Sequence, residues 1–390
     1  MKKILFILPF LLSAVVAAPV KKAVRDAEIF EPADDNIRRC VNIMPPKVKT
    51  IACIAPGSFP NSRFHRKGVE LLRQAGYKVK VMPHAFVRQK KVSQAPLEGR
   101  LSDFYQAWND PEVDMIFCIR GGRGSEEVMD NIDWKKLKHR PDLYFQGYSD
   151  ITLITAALLA KGNGHPIAGP MAGALSGLDA ESLDVMRKIH HGKQVGPVKL
   201  VPLVPGDCKG MVLAGLLHRL AVLTDKPYLP SVKGRIIFIE SVGATAQKIR
   251  EQLDTLLKKK FFNGSAGVVF CQFVRTAPKQ EIEKILREYA PKIGTPVYMG
   301  FPFGHTSKSY CLDFTRTAVI KNSAVTFSIR LSATSPTNTA SAFKGIKEIS
   351  VAESPSTSTA SNSAHVISSS PVKSSASSNT FSTAEKICDK

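Results

Sequence analysis

A serine, a glutamate and a histidine stand in this chain where acyl-transfer chemistry could be done. Ser149 lies in Phe145-Gln146-Gly147-Tyr148-Ser149-Asp150-Ile151-Thr152, where an apolar run passes into Gly-x-Ser and at once into a helical pattern over 151–161. A sharp strand-to-helix turn of this kind holds a hydroxyl clear of the backbone. The helix start behind it offers free N–H groups and positive potential. Serine is also a common helix N-cap, and the turn by itself fits both readings equally. A serine hydroxyl is a poor nucleophile without a base, and the base needs an acidic partner. Glu240 ends the apolar run Arg235–Ile239, and His305 closes Phe301-Pro302-Phe303-Gly304-His305 just beyond the run Pro296–Met299. Alone, each is more often a cap or a structural residue. Together they fit nucleophile, base and orienting carboxylate.

A second turn, Arg120-Gly121-Gly122-Arg123-Gly124-Ser125, follows the apolar run Met115–Ile119. Glycines here let backbone N–H groups face an incoming negative charge. A dinucleotide loop fits poorly. The third glycine of G-x-G-x-x-G is replaced by Glu127, and Glu126 and Glu127 would repel a pyrophosphate. Tight packing, or a loop for an oxyanion or substrate carboxylate, fits better.

These turns need elements to hold them. Strand-like runs at Val48–Ala55, Lys78–Met82, Met115–Ile119 and Leu143–Gln146 alternate with helical stripes at Phe64–Ala75, Leu97–Trp108 and Ile151–Lys161. That alternation predicts parallel βαβ units and a doubly wound sheet, with ligands at the carboxyl ends of its strands. A second set follows. Gly210–Leu223 looks helical, Arg235–Ile239 reads as a strand, Thr245–Lys259 as a helix, and Ala266–Phe273 and Pro296–Met299 as strands. The link is expected within Met186–Leu203. The expected fold is α/β: an N-terminal doubly wound parallel-sheet domain over 45–190 carrying the serine turn, and a smaller C-terminal α/β domain over 200–332 carrying the glutamate and histidine.

The chain of 390 residues is 44% hydrophobic and 22% charged, which fits a globular protein of two domains with appendages. Lys2 and Lys3, the apolar run Ile4 to Ala18 and its small closing residues have the layout of a secretory signal peptide over 1–18. A cleaved signal would place the protein in the periplasm or outside the cell. The run is shorter than the ~20 residues that span a bilayer, so no transmembrane segment is expected after its removal. In Val351–Lys390, 17 of 40 residues are Ser or Thr, and 335–390 is expected to be a disordered tail. The seven cysteines are too few for a disulfide scaffold, and Cys53, Cys118 and Cys271 sit in strand-like runs as small hydrophobes. No zinc-ligand spacing appears, so no metal or other cofactor is implied. The net charge of +21 comes from dispersed lysines and arginines without a nucleic-acid-binding signature. It fits a solvated surface, or anionic envelope polymers, better than nucleic acid.

Taken in order, IAPGSFP, RGGRG, GYSDIT, AGPM, IFIES and FPFGH, from Ile51 to His305, resemble the LD-carboxypeptidase (muramoyltetrapeptide carboxypeptidase) family of serine peptidases, which also contains the microcin C immunity peptidases. The resemblance implies Ser149 as nucleophile, His305 as general base, Glu240 as the residue orienting it, and the N–H groups of Gly122 and Asp150 as the oxyanion hole. It implies cleavage of the amide between an L-centred residue, usually meso-diaminopimelate, and a terminal D-alanine of a peptidoglycan tetrapeptide. Muropeptides are then the partners, and a homodimer is left open. Arg120 and Arg123 are candidates for the substrate carboxylate, because guanidinium binds carboxylate bidentately. Three rival readings stand beside this one: a related peptidase acting on an antibiotic peptide conjugate, a non-catalytic peptidoglycan-binding protein, and a nucleotide-binding module.

Overall fold

A computed structural model describes residues 34–60, 62–88 and 94–328. The expected signal peptide and tail lie outside these residues. The first half runs through α1 (Asp34–Cys40), β1 (Thr50–Ile54), α2 (Arg63–Gln74), β2 (Lys78–Val81), α3 (Leu97–Asn109), β3 (Met115–Cys118), α4 (Ser125–Asn131), β4 (Tyr144–Gln146), α5 (Thr152–Lys161), β5 (His165–Ala168) and α6 (Ala180–His190). Strands β1, β3, β4 and β5 are buried at every position, as parallel strands covered on both faces must be. The five strands pair in parallel in the order β5-β4-β3-β1-β2. The order therefore reverses between β3 and β1, and the crevice of such a sheet lies outside the carboxyl ends at that point. There the turns after β1 and β3 meet, with the Ser58 N–H donating to the Gly121 carbonyl at 2.8 Å. A Cβ on Gly57 would lie 2.4 Å from that carbonyl, so only glycine permits the approach.

The second half runs through β6 (Val195–Lys199), β7 (Val201–Val204), β8 (Cys208–Leu216), α7 (Leu217–Leu223), β9 (Arg235–Val242), α8 (Ala246–Lys258), β10 (Gly267–Val274), α9 (Lys279–Ile293), β11 (Val297–Met299), β12 (Leu312–Asp313), β13 (Thr317–Lys321) and β14 (Ala324–Phe327). An eight-stranded sheet forms in the order β6-β14-β13-β8-β9-β10-β11-β7, with β8 to β11 parallel and the flanking strands antiparallel. Strand β12 pairs instead with β5, Leu312 opposite Ala168, and completes the first sheet as its sixth strand. Buried apolar residues from both sheets form one continuous core. Cys53, Cys118 and Cys271 are buried free thiols within it. Burial pushes the Cys53 thiol up to about 12, which keeps it protonated and inert.

The helix expected over Gly210–Leu223 is corrected. Cys208–Leu216 is strand β8, and only Leu217–Leu223 is helical. The run Met-Val-Leu-Ala-Gly-Leu-Leu has no period that separates a buried strand from a buried helix. Tertiary pairing decides: β8 lies parallel to β9 from Met211 opposite Arg235 to Leu216 opposite Glu240. Strands β5, β6, β7, β13 and β14, short or partly exposed, were also unmarked by any strong apolar run.

Helix α2 begins with a capping box in which His65 takes the place usually held by Glu or Gln. The Ser62 Oγ accepts from the His65 N–H at 3.3 Å, and His65 Nδ1 accepts from the Ser62 N–H at 3.4 Å. Accepting at Nδ1 requires a neutral ring. Burial, aided by the Arg120 charge, lowers the His65 pKa to about 4. The folded value thus lies below the unfolded value of about 6.5. The stability this provides is present above the unfolded value and is lost as pH falls from about 6.5 toward about 4. His65→Gln, which keeps a capping side chain, should lose less stability over that window than the wild type in urea titrations. Equal losses would refute the assignment.

Candidate active site

The turn after β4 is built for tightness. Tyr148 is extended, and Ser149 has φ 62, a left-handed conformation that only glycine adopts freely. A Cβ on Gly147 would lie 2.7 Å from Ile151, and one on Gly121 would lie 3.0 Å from the Ser149 Cβ. Glycine at both places lets the chain double back from strand into a 3₁₀ turn, Ser149–Ile151, and then α5. The Ser149 side chain does not cap the helix. Its Oγ lies 3.0 Å from His305 Nε2, and His305 Nδ1 lies 3.0 Å from Glu240 Oε2. A carboxylate only accepts, so Nδ1 carries the proton and Nε2 presents its lone pair to the hydroxyl. The structure thus brings Ser149, Glu240 and His305 into one hydrogen-bonded chain.

Each partner arrives by its own route. Glu240 sits near the carboxyl end of β9 and is fully buried, and its Oε1 has no hydrogen bond among the described residues. Low dielectric around it strengthens its hold on the imidazole. His305 rides on the loop after β11, which Gln272 of β10 pins. The Gln272 N–H donates to Phe303 O at 3.1 Å, its Nε2 donates to Lys308 O at 2.7 Å, and its Oε1 accepts from Thr306 Oγ1 at 3.0 Å. Gly304, at φ 149, leaves room for Gln272, since a Cβ there would lie 2.9 Å from that residue's Cβ. The same loop docks on the start of α6. The Asp179 N–H donates to Ser307 O, the Ser309 N–H donates to Ser182 Oγ at 2.9 Å, and Lys308 pairs with Glu181 at 2.7 Å. The Tyr148 ring walls the imidazole, with centroids 4.8 Å apart. Burial, with the Glu240 charge, holds the Tyr148 phenol well above its ordinary value, so it stays neutral.

Gly122 and Asp150 lie on the two turns that flank the serine. Gly122 has φ 95, and a Cβ on it would run into Ser58 at 2.3 Å. The next residue's N–H, that of Arg123, donates to Ser58 Oγ at 2.9 Å. Asp150 ties the turns together. Its Oδ2 accepts from the Ser125 N–H at 2.9 Å, and its carbonyl accepts from Ser125 Oγ at 2.5 Å. Arg120 donates from Nη1 to Phe59 O at 2.8 Å, while Arg123 stands exposed on the turn. Among the described residues no group of three His, Cys, Asp or Glu is placed to share a metal ion.

Sequence reasoning missed Arg219. From the first turn of α7 its Nη2 reaches Asp150 Oδ1 at 2.6 Å, and its Nη1 reaches Glu126 at 3.3 Å. A charged residue inside an apolar run was the only signal. Asp150 is fully buried and Arg219 nearly so. Arg219→Met leaves that carboxylate without its cation and should destabilise the protein by about 3–5 kcal/mol. Adding Asp150→Asn should recover much of the loss. A change under about 1 kcal/mol in urea unfolding of the single variant would count against the clamp.

Models of the LD-carboxypeptidase N-terminal and C-terminal domains match residues 51–169 and 209–320. The chain is 27% identical over 277 residues to the probable murein peptide carboxypeptidase of Bacillus subtilis, covering 67% of this chain and 86% of that one. Its fold is similar to the crystal structure of muramoyltetrapeptide carboxypeptidase from Oxalobacter formigenes, with TM-score 0.60, 24% identity and coverage of 71% of this chain and 97% of that one. It is similar also to an MccF-like protein from Bacillus anthracis, with TM-score 0.65, 21% identity and coverage of 74% and 99%.

Proposed function

Because the chain belongs to the LD-carboxypeptidase family, we propose that it is a serine carboxypeptidase releasing the terminal D-alanine of peptidoglycan tetrapeptides from the L-centre of meso-diaminopimelate. One observation carries this reading: the unbroken hydrogen-bonded chain from Ser149 Oγ through the His305 ring to Glu240. Ser149 Oγ attacks the scissile carbonyl as His305 Nε2 takes its proton. Glu240 holds the ring in the competent tautomer and stabilises the imidazolium. The N–H groups of Gly122 and Asp150 receive the oxyanion, each removed donor being worth roughly 3–4 kcal/mol on the barrier. His305 then gives its proton to the departing amine of D-alanine. Water, activated by the same ring, hydrolyses the acyl-enzyme and restores the serine. Arg120 and Arg123, on the turn beside the serine, are the candidates for the terminal carboxylate.

The layout of 1–18 would carry this activity across the membrane to the wall. No helix among the described residues is long and apolar enough to cross a membrane. Mass spectrometry of purified muropeptides after incubation with the protein tests the reaction. Loss of one terminal alanine from tetrapeptides alone is expected, and unchanged tetrapeptides would end the proposal. A second reading, hydrolysis of an antibiotic peptide conjugate, draws on the likeness to the MccF-like fold. Assaying both substrates side by side separates the two. Labelling of Ser149 by a fluorophosphonate would argue against a merely binding role.

A further inference from the structure

Beyond the triad, the carboxyl edge of the second sheet opens into a cavity of 480 Å³ between the turns that follow β9 and β10. Gly243, Thr245 and Gln247 line one side, and Arg275, Thr276 and Glu281 the other. The two strands end side by side, with Val242 opposite Val274, and Glu240 lies two residues before the end of β9. The cavity therefore lies at the end of the strand that carries Glu240, on the carboxyl edge where ligands of parallel sheets bind.

Its polar groups are of both signs. Arg275 has φ 51, a left-handed conformation rare for a long side chain, and it is exposed. Glu281 stands in the first turn of α9, also exposed. Although they share one cavity, neither forms a salt bridge with the other or with any other described residue. Elsewhere on this basic surface, acidic side chains do find cations: Glu288 pairs with Arg250, and Glu283 with Arg287. The first residues of α8, Ala246 and Gln247, border the cavity, and the helix start adds positive potential to it. Arg275 also acts electrostatically on the Tyr148 hydroxyl, in the sense opposite to Glu240, which places its charge within reach of the ring that walls His305.

A cation and an anion that line one cavity with no salt bridge among the described residues suit a ligand that carries both charges on neighbouring atoms. We propose that this cavity is a specificity subsite for a zwitterionic amino-acid group at the end of the substrate's side chain, Arg275 taking its carboxylate and Glu281 its ammonium. This inference rests on the peptidase reading above. The side chain of meso-diaminopimelate ends in such a group, on a short aliphatic stem leading away from the scissile carbonyl. Lysine offers the ammonium alone. Guanidinium and carboxylate recognition here is charge-assisted and geometrically selective.

The experiment compares two tetrapeptides ending in D-alanine that differ only in meso-diaminopimelate or L-lysine at the third position. The wild type should favour the former in kcat/KM by roughly ten- to hundredfold, the yield of a charge-assisted contact. Arg275→Gln should cut that ratio by about tenfold, chiefly through KM, and Arg275→Lys should restore part of it, whereas Glu281→Gln removes the contact that the ammonium of either peptide makes and should raise KM for both. A diaminopimelate peptide amidated at its side-chain carboxylate should behave like the lysine peptide and be indifferent to Arg275→Gln. A wild-type ratio near one, or an Arg275→Gln variant that loses both activities equally, would overturn the subsite while leaving the peptidase reading intact. A wild type that cleaves neither peptide would remove the peptidase reading and the subsite with it.

Discussion

Ser149→Ala should lower kcat for D-alanine release by roughly a millionfold, down to the residual rate that oxyanion stabilisation and binding sustain without a nucleophile. Loss of the hydroxyl removes both the attacking atom and the proton that His305 is poised to take at 3.0 Å. The fold should persist, because the variant loses about one hydrogen bond of modest net worth, roughly 1 kcal/mol. The backbone adds a sharper check. Ser149 holds φ 62, which a Cβ disfavours and glycine tolerates. Ser149→Gly should therefore be as inactive as Ser149→Ala yet more stable by about 0.5–1 kcal/mol. Active-site titration, steady-state turnover and urea unfolding of both variants would test this. Turnover in either variant within tenfold of wild type would mean that another group attacks.

Glu240→Gln should lower kcat by about 10⁴-fold while leaving the protein at least as stable. The physics lies in the proton on the ring. A glutamine in place of the buried carboxylate can turn an N–H toward His305 Nδ1, which moves the ring proton to Nε2. The nitrogen facing Ser149 then donates instead of accepting, and no base is left. Stability should not suffer, since a fully buried charge with one hydrogen-bonded oxygen among the described residues is replaced by a neutral isostere. Glu240→Ala, by contrast, leaves a void beside β9 and should lose stability and activity together. A Glu240→Gln enzyme that keeps more than a tenth of its turnover would show that the carboxylate does not set the tautomer.

Both expectations depend on how three elements meet, and that meeting was only partly readable beforehand. The turns were legible. GYSD, IFIES and FPFGH each follow a strongly apolar run, and burial of such runs as parallel strands forces the next residues to the carboxyl edge, where β4, β9 and β11 leave them. The stretch 210–223 was misread because a fully buried strand and a buried helix share the same unbroken apolar pattern. Only pairing with β9 selects the strand. The antiparallel strands β6, β7, β13 and β14 carry weak patterns because each is only partly buried. Local context could not name the partners of Arg219 and Gln272. Their partners, Asp150 and the loop 303–308, lie far away in sequence.

By itself the order of residues determined that strands would alternate with helices, and which polar side chains would stand at strand ends, since both follow from local period and from glycine placement. Tertiary structure decided the rest. The return of β12 to the first sheet and the docking of the 305–310 loop on α6 bring the histidine of the second half to 3.0 Å from the serine of the first. An ångström-scale distance between groups 156 residues apart is set by packing, burial and hydrogen bonds that no short stretch of chain contains.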